Sequence, residues 1–525
     1  MRVLVDKIPF ANTITYEQFL SRVNKFKVSD VLKKCNHARA WLEEQASMES
    51  SLLALQPNDH YLCPKRVEVY LAPSRIAFLA KTSILRSSEN RQATLSDVDF
   101  AYLIYMQANM TEAFTAKQEK TVEDKYSFLI RVEGEQSSYQ ERLRGAFARS
   151  WMIYIEANRS LADRRTFDLE DEWRKYAGMD LGKFILLGFN YFAGLRENES
   201  VSRHFASSGI FTGKLFEEDC ERFLAIAAAT PKQFRDESKK YEVQDPLYKK
   251  SEFNVLWPRP LIAIGSELTS PLPVLIANRV ADGIRFDLRE TMRHEGKGNP
   301  FSAYFGKLFE EYIGRLLKWT FGQDKVHYEP LYGKPERAGP DWVVIDGDAA
   351  ILIECRTRTL TIETRALAEI GAVRDDIRKM FVDTLMKYPS KIEDLRSGRT
   401  GLDFSGVKRI FPLIVTYERV SYEAIYREIA RIEFDAAGRG WFGDYELLGA
   451  EDLELLSAWH SFRSIPDMIQ ARKKQYLNEP NDLADFLYAF GRENQLEFGH
   501  PLLSEVLSHL LDTAFDAIKG GMPRP

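Results

Sequence analysis

Two carboxylates flank the paired apolar runs of one stretch of this sequence, GPDWVVIDGDAAILIECRTRT, residues 339–359. Asp341 precedes the first apolar run, and Glu354 follows the second run with Arg356 two positions later. Carboxylates held close together repel each other unless a cation lies between them. Oxygen ligands of this kind suit Mg²⁺ or Mn²⁺, so these residues predict a divalent-cation site.

The dipeptide Gly347-Asp348 separates the two apolar runs and is typical of a two-residue hairpin loop. Pairing across this loop brings Asp341 opposite Glu354, at about 5 Å between Cβ atoms. Arg356 then points to the same face as Glu354, because side chains alternate along a strand. The two runs are apolar on both faces, which indicates a central hairpin covered by helices.

The elements around this hairpin follow a clear order. Asn299-Pro300 predicts a helix start, and FSAYFGKLFEEYIGRLLKW carries an apolar stripe at helical spacing. A strand-like VHYEPLY comes next, followed by the hairpin, a helix over about 362–387, the strand RIFPLIVTY (409–417) and a further helix. This order predicts an α/β unit in which helices flank a mixed sheet.

The spacing Pro340-Asp341, twelve residues, then Glu354-x-Arg356 resembles the PD-(D/E)xK nuclease motif. The helix containing GKLFE (306–310) is similar to the first core helix of that family, and the order of elements from 300 to 417 is similar to its restriction-endonuclease-like core. The resemblance covers about residues 299–435.

The resemblance implies roles for particular residues. Asp341 and Glu354 would be the primary metal ligands, with Glu310 and the carbonyl of Cys355 as further ligands. Arg356 stands where the family has lysine. An arginine cannot act as a general base because its pKa stays above ~12, but it can orient a nucleophile and stabilise phosphate charge.

Three alternatives stay open on the residues alone. The carboxylate pair is also compatible with an ordinary hairpin that has polar strand ends. Helical phase does not choose between Glu310 and Glu311, which lie on opposite flanks of the apolar stripe. Lys387, late in the following helix, is a candidate for a lysine that has moved from the motif position.

Composition bounds the rest of the chain. Its 525 residues, 45% hydrophobic and 28% charged, are typical of a multidomain globular protein, and a net charge of −5 provides no global field for nucleic acid. Four scattered cysteines predict reduced thiols and a cytoplasmic protein, and we expect no membrane span. We predict a mainly helical sensing or regulatory region (1–255), an extended strap (256–298), the α/β core (299–435) and a helical C-terminal extension (436–525).

These features lead to two functional hypotheses. The first is a Mg²⁺- or Mn²⁺-dependent endonuclease that hydrolyses DNA or RNA, tRNA included, and resembles bacterial anti-phage defence effectors. The second is a nuclease-dead protein of the same fold that binds nucleic acid or senses phage. The expected partners are a nucleic acid, a phage protein or regulator bound through the N-terminal region, and a second copy of the chain in a homodimer.

Overall fold

The computed structural model describes the residues 14–43, 71–108, 110, 130, 145–164, 166–207, 215–244, 249–293, 299–333, 337–361, 364, 369–420, 423–440, 442–475 and 482–519. The chain divides into two compact units. The N-terminal unit comprises residues 2–147, 170–288 and 509–525, and the C-terminal unit comprises residues 148–169 and 289–508. Among the described helices, none combines the length and the apolar character needed to cross a membrane.

Helices make up most of the described chain. In chain order they are α1 (Tyr16–Val23), α2 (Val28–Glu43), α3 (Pro73–Arg86), α4 (Asp97–Ala108), α5 (Ala146–Trp151), α6 (Asn158–Ser160), α7 (Leu169–Ala177), α8 (Leu181–Glu197), α9 (Glu217–Ala227), α10 (Pro231–Ser238), α11 (Val274–Arg293), α12 (Pro300–Phe321), α13 (Ile370–Ile377), α14 (Asp383–Leu385), α15 (Tyr388–Arg396), α16 (Glu423–Ala436), α17 (Ala450–Ala458), α18 (Ile465–Gln475), α19 (Leu483–Glu493) and α20 (Pro501–Lys519). Turns of π-helix cover Met152–Ala157 and Arg378–Val382.

The strands are β1 (Val201–Ser202), β2 (Ala228–Ala229), β3 (Leu261–Ile264), β4 (Glu267–Thr269), β5 (Val326–Tyr328), β6 (Leu331–Tyr332), β7 (Arg337–Ala338), β8 (Trp342–Asp346), β9 (Ala349–Arg356), β10 (Arg409–Thr416) and β11 (Glu446–Gly449). The first four form a sheet in the order β1-β4-β3-β2, and five others form a sheet in the order β11-β10-β9-β8-β5. Both sheets are mixed, and β6 and β7 form a separate two-stranded ribbon.

The N-terminal unit is mainly helical, as the sequence predicts. Helix α3 packs against α1, α2 and α4, and its ten buried residues include small ones that permit close helix contact. The rings of Phe19 and Phe78 stack between α1 and α3 at 6.0 Å. Burial of these apolar faces provides the main driving force for folding this unit.

The prediction of an extended strap over residues 256–298 does not agree with the structure. This range contains the antiparallel pair β3–β4 and the 20-residue helix α11. Leu261 and Leu268 are fully buried in it. Pro260 stands immediately before β3 and Pro273 immediately before α11, where the missing N–H removes no ladder or helix hydrogen bond. In sequence, prolines at the ends of strands and helices therefore look the same as prolines in an extended linker.

The five-stranded sheet of the C-terminal unit contains four strands in the predicted order, β5, β8, β9 and β10, and a fifth strand, β11, that was not predicted. Strand β5 is antiparallel to β8, β8 is antiparallel to β9, and β9, β10 and β11 run parallel. The parallel pairs need helical crossovers, which are α13–α15 and α16. The range 436–525 is mainly helical, as predicted, but it also supplies β11 at the sheet edge.

Helix α12 is placed on this sheet by local features of its sequence. Asn299 caps its start by accepting the N–H of Ser302 at 3.1 Å. At Gly314 the indole of Trp342 from β8 approaches so closely that a Cβ atom would lie 2.1 Å from it. The Trp342 Nε1–H donates to the carbonyl of Glu310 at 3.0 Å. The backbone of Glu310 is therefore held against Trp342, the first residue of β8.

Residues 148–169, which the sequence assigns to the N-terminal region, belong to the C-terminal unit. Arg149 donates to both oxygens of Glu454 on α17, at 2.6 and 2.8 Å. Tyr312 on α12 donates to the same carboxylate at 2.6 Å. All three side chains are buried, so this network joins segment 148–169 to two helices of the unit.

We predict that Arg149→Ala lowers the free energy of unfolding by about 3–5 kcal/mol, because it leaves Glu454 buried without its cation. Urea unfolding followed by circular dichroism measures this change. Arg159→Ala, in the same segment but exposed, is the matched control and should stay within ~0.5 kcal/mol of the wild type. Equal stability of the two variants would contradict the structural role of the network.

Candidate metal and active site

The β8–β9 hairpin has the register that the sequence predicts. Asp346 pairs with Ala349, and the ladder continues to Trp342 opposite Ile353. Gly347 in the loop has φ +61°, a conformation that favours glycine. One position beyond the ladder, the N–H of Cys355 donates to Oδ2 of Asp341 at 2.7 Å. Asp341 and the end of β9 are therefore in direct contact.

Glu354 is the most buried acid of the site, with a side chain that is 2% exposed. Arg356 Nη2 donates to its Oε2 at 2.8 Å, and Lys391 Nζ donates to its Oε1. Burial raises the pKa of Glu354, the charge of Asp341 raises it further, and the two cations partly offset both effects. A buried acid of this kind stays charged only with such partners.

Arg356 lies on the same face as the two carboxylates, as alternation predicts, and Thr384 orients it. Its Nε donates to Oγ1 of Thr384 at 2.9 Å, and Nη1 lies 3.5 Å from Oδ2 of Asp341. Nη1 also donates to the carbonyl of Cys355 at 2.6 Å. The family resemblance implies that this carbonyl is a metal ligand. In this structure it accepts a hydrogen bond from Arg356 instead.

The Cys355 side chain is buried and free, as are Cys35 and Cys220, while Cys63 lies outside the described residues. Burial raises the pKa of the Cys355 thiol well above its ordinary value. A thiol in this state is a poor nucleophile and a poor metal ligand. We therefore give this side chain a packing role.

Glu310 on α12 extends the acidic cluster. Lys307 donates to its Oε2 at 2.7 Å, and the Tyr328 hydroxyl donates to the same atom at 3.1 Å. Burial raises the pKa of Glu310, and the charge of Asp341 adds to the increase. Glu311, the alternative in the sequence, pairs with Arg315 instead. Of the two, Glu310 is the one that interacts electrostatically with Asp341.

We predict that Glu310→Gln raises the melting temperature of the metal-free protein above pH 4.5. The folded protein holds the Glu310 proton more tightly than the unfolded chain does, because its pKa is raised from the ordinary 4.5. The stability that this group contributes is complete below that value and is lost as pH rises through the raised pKa. The difference between variant and wild type should vanish towards low pH in melting curves recorded in EDTA. Glu311→Gln is the control, and an equal effect there would contradict the assignment.

Lys391 is the functional candidate that sequence reasoning missed. It reaches Glu354 from α15 and also donates to the carbonyl of Gly339 at 2.7 Å. Lys387, the lysine considered from sequence, lies one turn earlier at the N-cap of α15. Pro389 restarts the helix between the two lysines, so the phase of the preceding helix does not extend to Lys391. Lys391 lies only four residues beyond the predicted end of that helix at about 387, so its position in the sequence was the available signal.

Three acids and three cations balance at this site. Glu310, Asp341 and Glu354 face Lys307, Arg356 and Lys391. In the described part of the chain, no three acidic, histidine or cysteine side chains are already arranged to coordinate a metal ion. Two carboxylate oxygens of the site accept no hydrogen bond from any described residue: Oδ1 of Asp341 and Oε1 of Glu310.

The donor set nevertheless fits a divalent cation in charge and in chemistry. Carboxylate oxygens are the ligands that Mg²⁺ and Mn²⁺ prefer. The repulsion between Asp341 and its two acidic neighbours, which raises the pKa values of Glu310 and Glu354, is relieved by added positive charge. Asp341, with one free oxygen between the other two acids, is the central residue of this set.

Comparison of the chain with protein-family models, with curated proteins and with solved structures finds no match. The functional assignment therefore depends on the geometry of the site and on the motif in the sequence.

Proposed function

We propose that this protein is a Mg²⁺- or Mn²⁺-dependent endonuclease of the PD-(D/E)xK type. The observation that carries the proposal is the meeting of Asp341, Glu354 and Arg356 at the end of a central hairpin, with Glu310 beside them. The order of elements in the C-terminal unit supports it: a helix, three strands of the five-stranded sheet, helices and a further strand of that sheet. This order agrees with the one expected from the resemblance.

Asp341 and Glu354 would hold the metal ion, with Glu310 as a supporting ligand. When bound, a divalent cation acts as a Lewis acid and lowers the pKa of a coordinated water. The chain's own contribution is to orient these carboxylates. The backbone N–H of Cys355 orients Asp341, and Nη2 of Arg356 orients Glu354.

Arg356 and Lys391 together would supply the positive charge that the motif lysine supplies in the family. Arg356 is fixed by Thr384, so its guanidinium is oriented before substrate binds. Donors fixed in this way stabilise charge that develops on a phosphate in the transition state. Lys391, which contacts the other oxygen of Glu354, would hold the attacking water or a phosphate oxygen by donating a hydrogen bond to it.

The substrate would be DNA or RNA, with structured RNA such as tRNA included. The site region carries three exposed cations. They are Lys307 (49% exposed), Arg337 (63%) and Arg358 (45%). Local cations of this kind provide phosphate contacts that the net charge of −5 does not. In this proposal the N-terminal unit senses a phage protein or another regulator in the cytoplasm of a bacterium, and the chain acts as a monomer or homodimer.

A nuclease-dead binding or sensor protein is the second candidate function. The observation that favours it is the complete pairing of Glu354 by Arg356 and Lys391. A charge-balanced cluster is stable without a metal ion, and a family core that has lost catalysis can keep such a cluster as a structural element.

Incubation of the purified protein with supercoiled DNA and with total RNA separates the two candidates. The endonuclease is expected to cleave at least one of them with Mg²⁺ or Mn²⁺ and neither of them with EDTA. A preparation that is folded and leaves both intact with either metal favours the second candidate.

A further inference from the structure

An exposed aromatic ring lies at the edge of the candidate active site. Tyr328, the last residue of β5, is 40% exposed although its hydroxyl donates to Glu310. Its ring packs against that of Trp342 in a tilted arrangement, with centroids 4.9 Å apart and an interplanar angle of 59°. Leu331, three residues later, is 57% exposed. Tyr328 and Leu331 therefore present two exposed apolar side chains, and the first of them contacts the acidic cluster.

The backbone that follows Tyr328 is held in a costly conformation. Glu329 has φ +24°, a region that non-glycine residues rarely occupy. Its N–H donates to the carbonyl of Asp341 at 2.9 Å, and the N–H of Gly339 donates to the carbonyl of Pro330 at 3.0 Å. A Cβ atom on Gly339 would lie 2.6 Å from the Pro330 ring. Strain of this kind persists where the surroundings impose it, often at functional sites.

One cation lies beside the Tyr328 ring, and the β6–β7 ribbon that follows carries a second. The ammonium of Lys307 is 5.9 Å from the centre of the Tyr328 ring and also donates to Glu310. Arg337 on β7 is 63% exposed and lies 3.7 Å from Asp394, a long ion pair. A rigid aromatic ring with neighbouring cations is the arrangement by which proteins bind an unpaired nucleotide, since the base stacks and its phosphate meets the cations.

We propose that Tyr328 is a stacking platform for an unpaired nucleobase adjacent to the phosphate at the acidic cluster. The proposal rests on the proposed function and narrows its substrate to single-stranded or looped nucleic acid. A base within a continuous duplex is stacked on its neighbours and does not present its face to the ring. RNA and DNA share the chemistry of the base face, so the platform itself accepts either.

The test is binding in EDTA, where cleavage is not required. Fluorescence anisotropy with labelled 12-nucleotide RNA and DNA, single-stranded and as duplexes, gives the affinities of the full-length protein. We expect tighter binding of the single strands, and Tyr328→Leu should weaken that binding by about tenfold while duplex binding stays within about twofold. Tyr328→Phe should bind like the wild type. The comparison of the RNA and DNA affinities shows which of the two nucleic acids the platform prefers.

A single 2-aminopurine in the oligonucleotide reports stacking itself. Its fluorescence should be quenched by the wild type and by Tyr328→Phe but not by Tyr328→Leu. Tyr488→Leu is the control, because Tyr488 in the same unit is 41% exposed. Unchanged affinity and quenching in a folded Tyr328→Leu overturn the platform while leaving the cleavage proposal intact. Absence of cleavage by the wild type, with the platform effects present, overturns the proposed activity alone.

Discussion

Replacement of Asp341 by alanine is expected to reduce cleavage to the background level while the protein stays folded. Asp341 is the central acid of the site: it accepts the N–H of Cys355, and its charge raises the pKa values of both Glu310 and Glu354. Its removal takes away a metal ligand and also relieves repulsion in the metal-free protein. A cleavage assay and a melting curve on the same preparation measure both effects.

Asp346→Ala is the matched control for this variant. Asp346 ends β8 at the hairpin loop, whereas Asp341 immediately precedes β8. Asp346 pairs with Lys325 at 2.8 Å and has a side chain that is 27% exposed. Loss of this exposed ion pair should change stability by less than about 1 kcal/mol and leave cleavage unchanged. Full activity in Asp341→Ala, or equal loss in both variants, would remove this site from the mechanism.

The second large effect is expected at Arg356. Arg356→Ala should lower the cleavage rate by about 10²-fold or more, as loss of a fixed donor to a developing oxyanion does. Arg356→Lys should keep partial or full activity, because an ammonium also binds phosphate and water. Steady-state rates on a defined substrate measure the two variants, and melting curves verify that each is folded.

Lys391 should behave like Arg356, whereas Lys387 should not. Lys391→Met removes the cation on Oε1 of Glu354 and should cause a loss of similar size. Lys387→Met, one turn earlier on the same segment, should keep the wild-type rate. If Arg356→Ala and Lys391→Met alter only stability, the cations are structural counter-charges and the nuclease-dead alternative gains support.

The central hairpin could be predicted because its determinants are local. Gly347-Asp348 sets a two-residue loop, and the loop sets the register that brings Asp341 to the end of β9. The apolar runs on both sides identify strands buried on both faces, and β9 is buried from Ala349 to Cys355. The face of Arg356 follows from alternation alone.

The features that sequence reasoning missed depend on contacts between distant residues. Arg149 and Glu454 are 305 positions apart, and no periodicity in either segment indicates their pairing. Lys391 contacts Glu354 across 37 positions and a helix interrupted at Pro389. The prolines near residue 260 resembled a linker because proline at the end of an element and proline in a strap have the same local signature.

Binding of a divalent cation at Asp341 is the claim on which the whole account depends, and a metal titration followed by thermal melting tests it directly. Ligand that binds only the folded state stabilises it by about 2.7 kcal/mol at a hundredfold excess over Kd. The account predicts that millimolar Mg²⁺ or Mn²⁺ raises the melting temperature of the wild type and of Asp346→Ala but not that of Asp341→Ala. An unchanged melting temperature in the wild type, or an equal rise in Asp341→Ala, would contradict it.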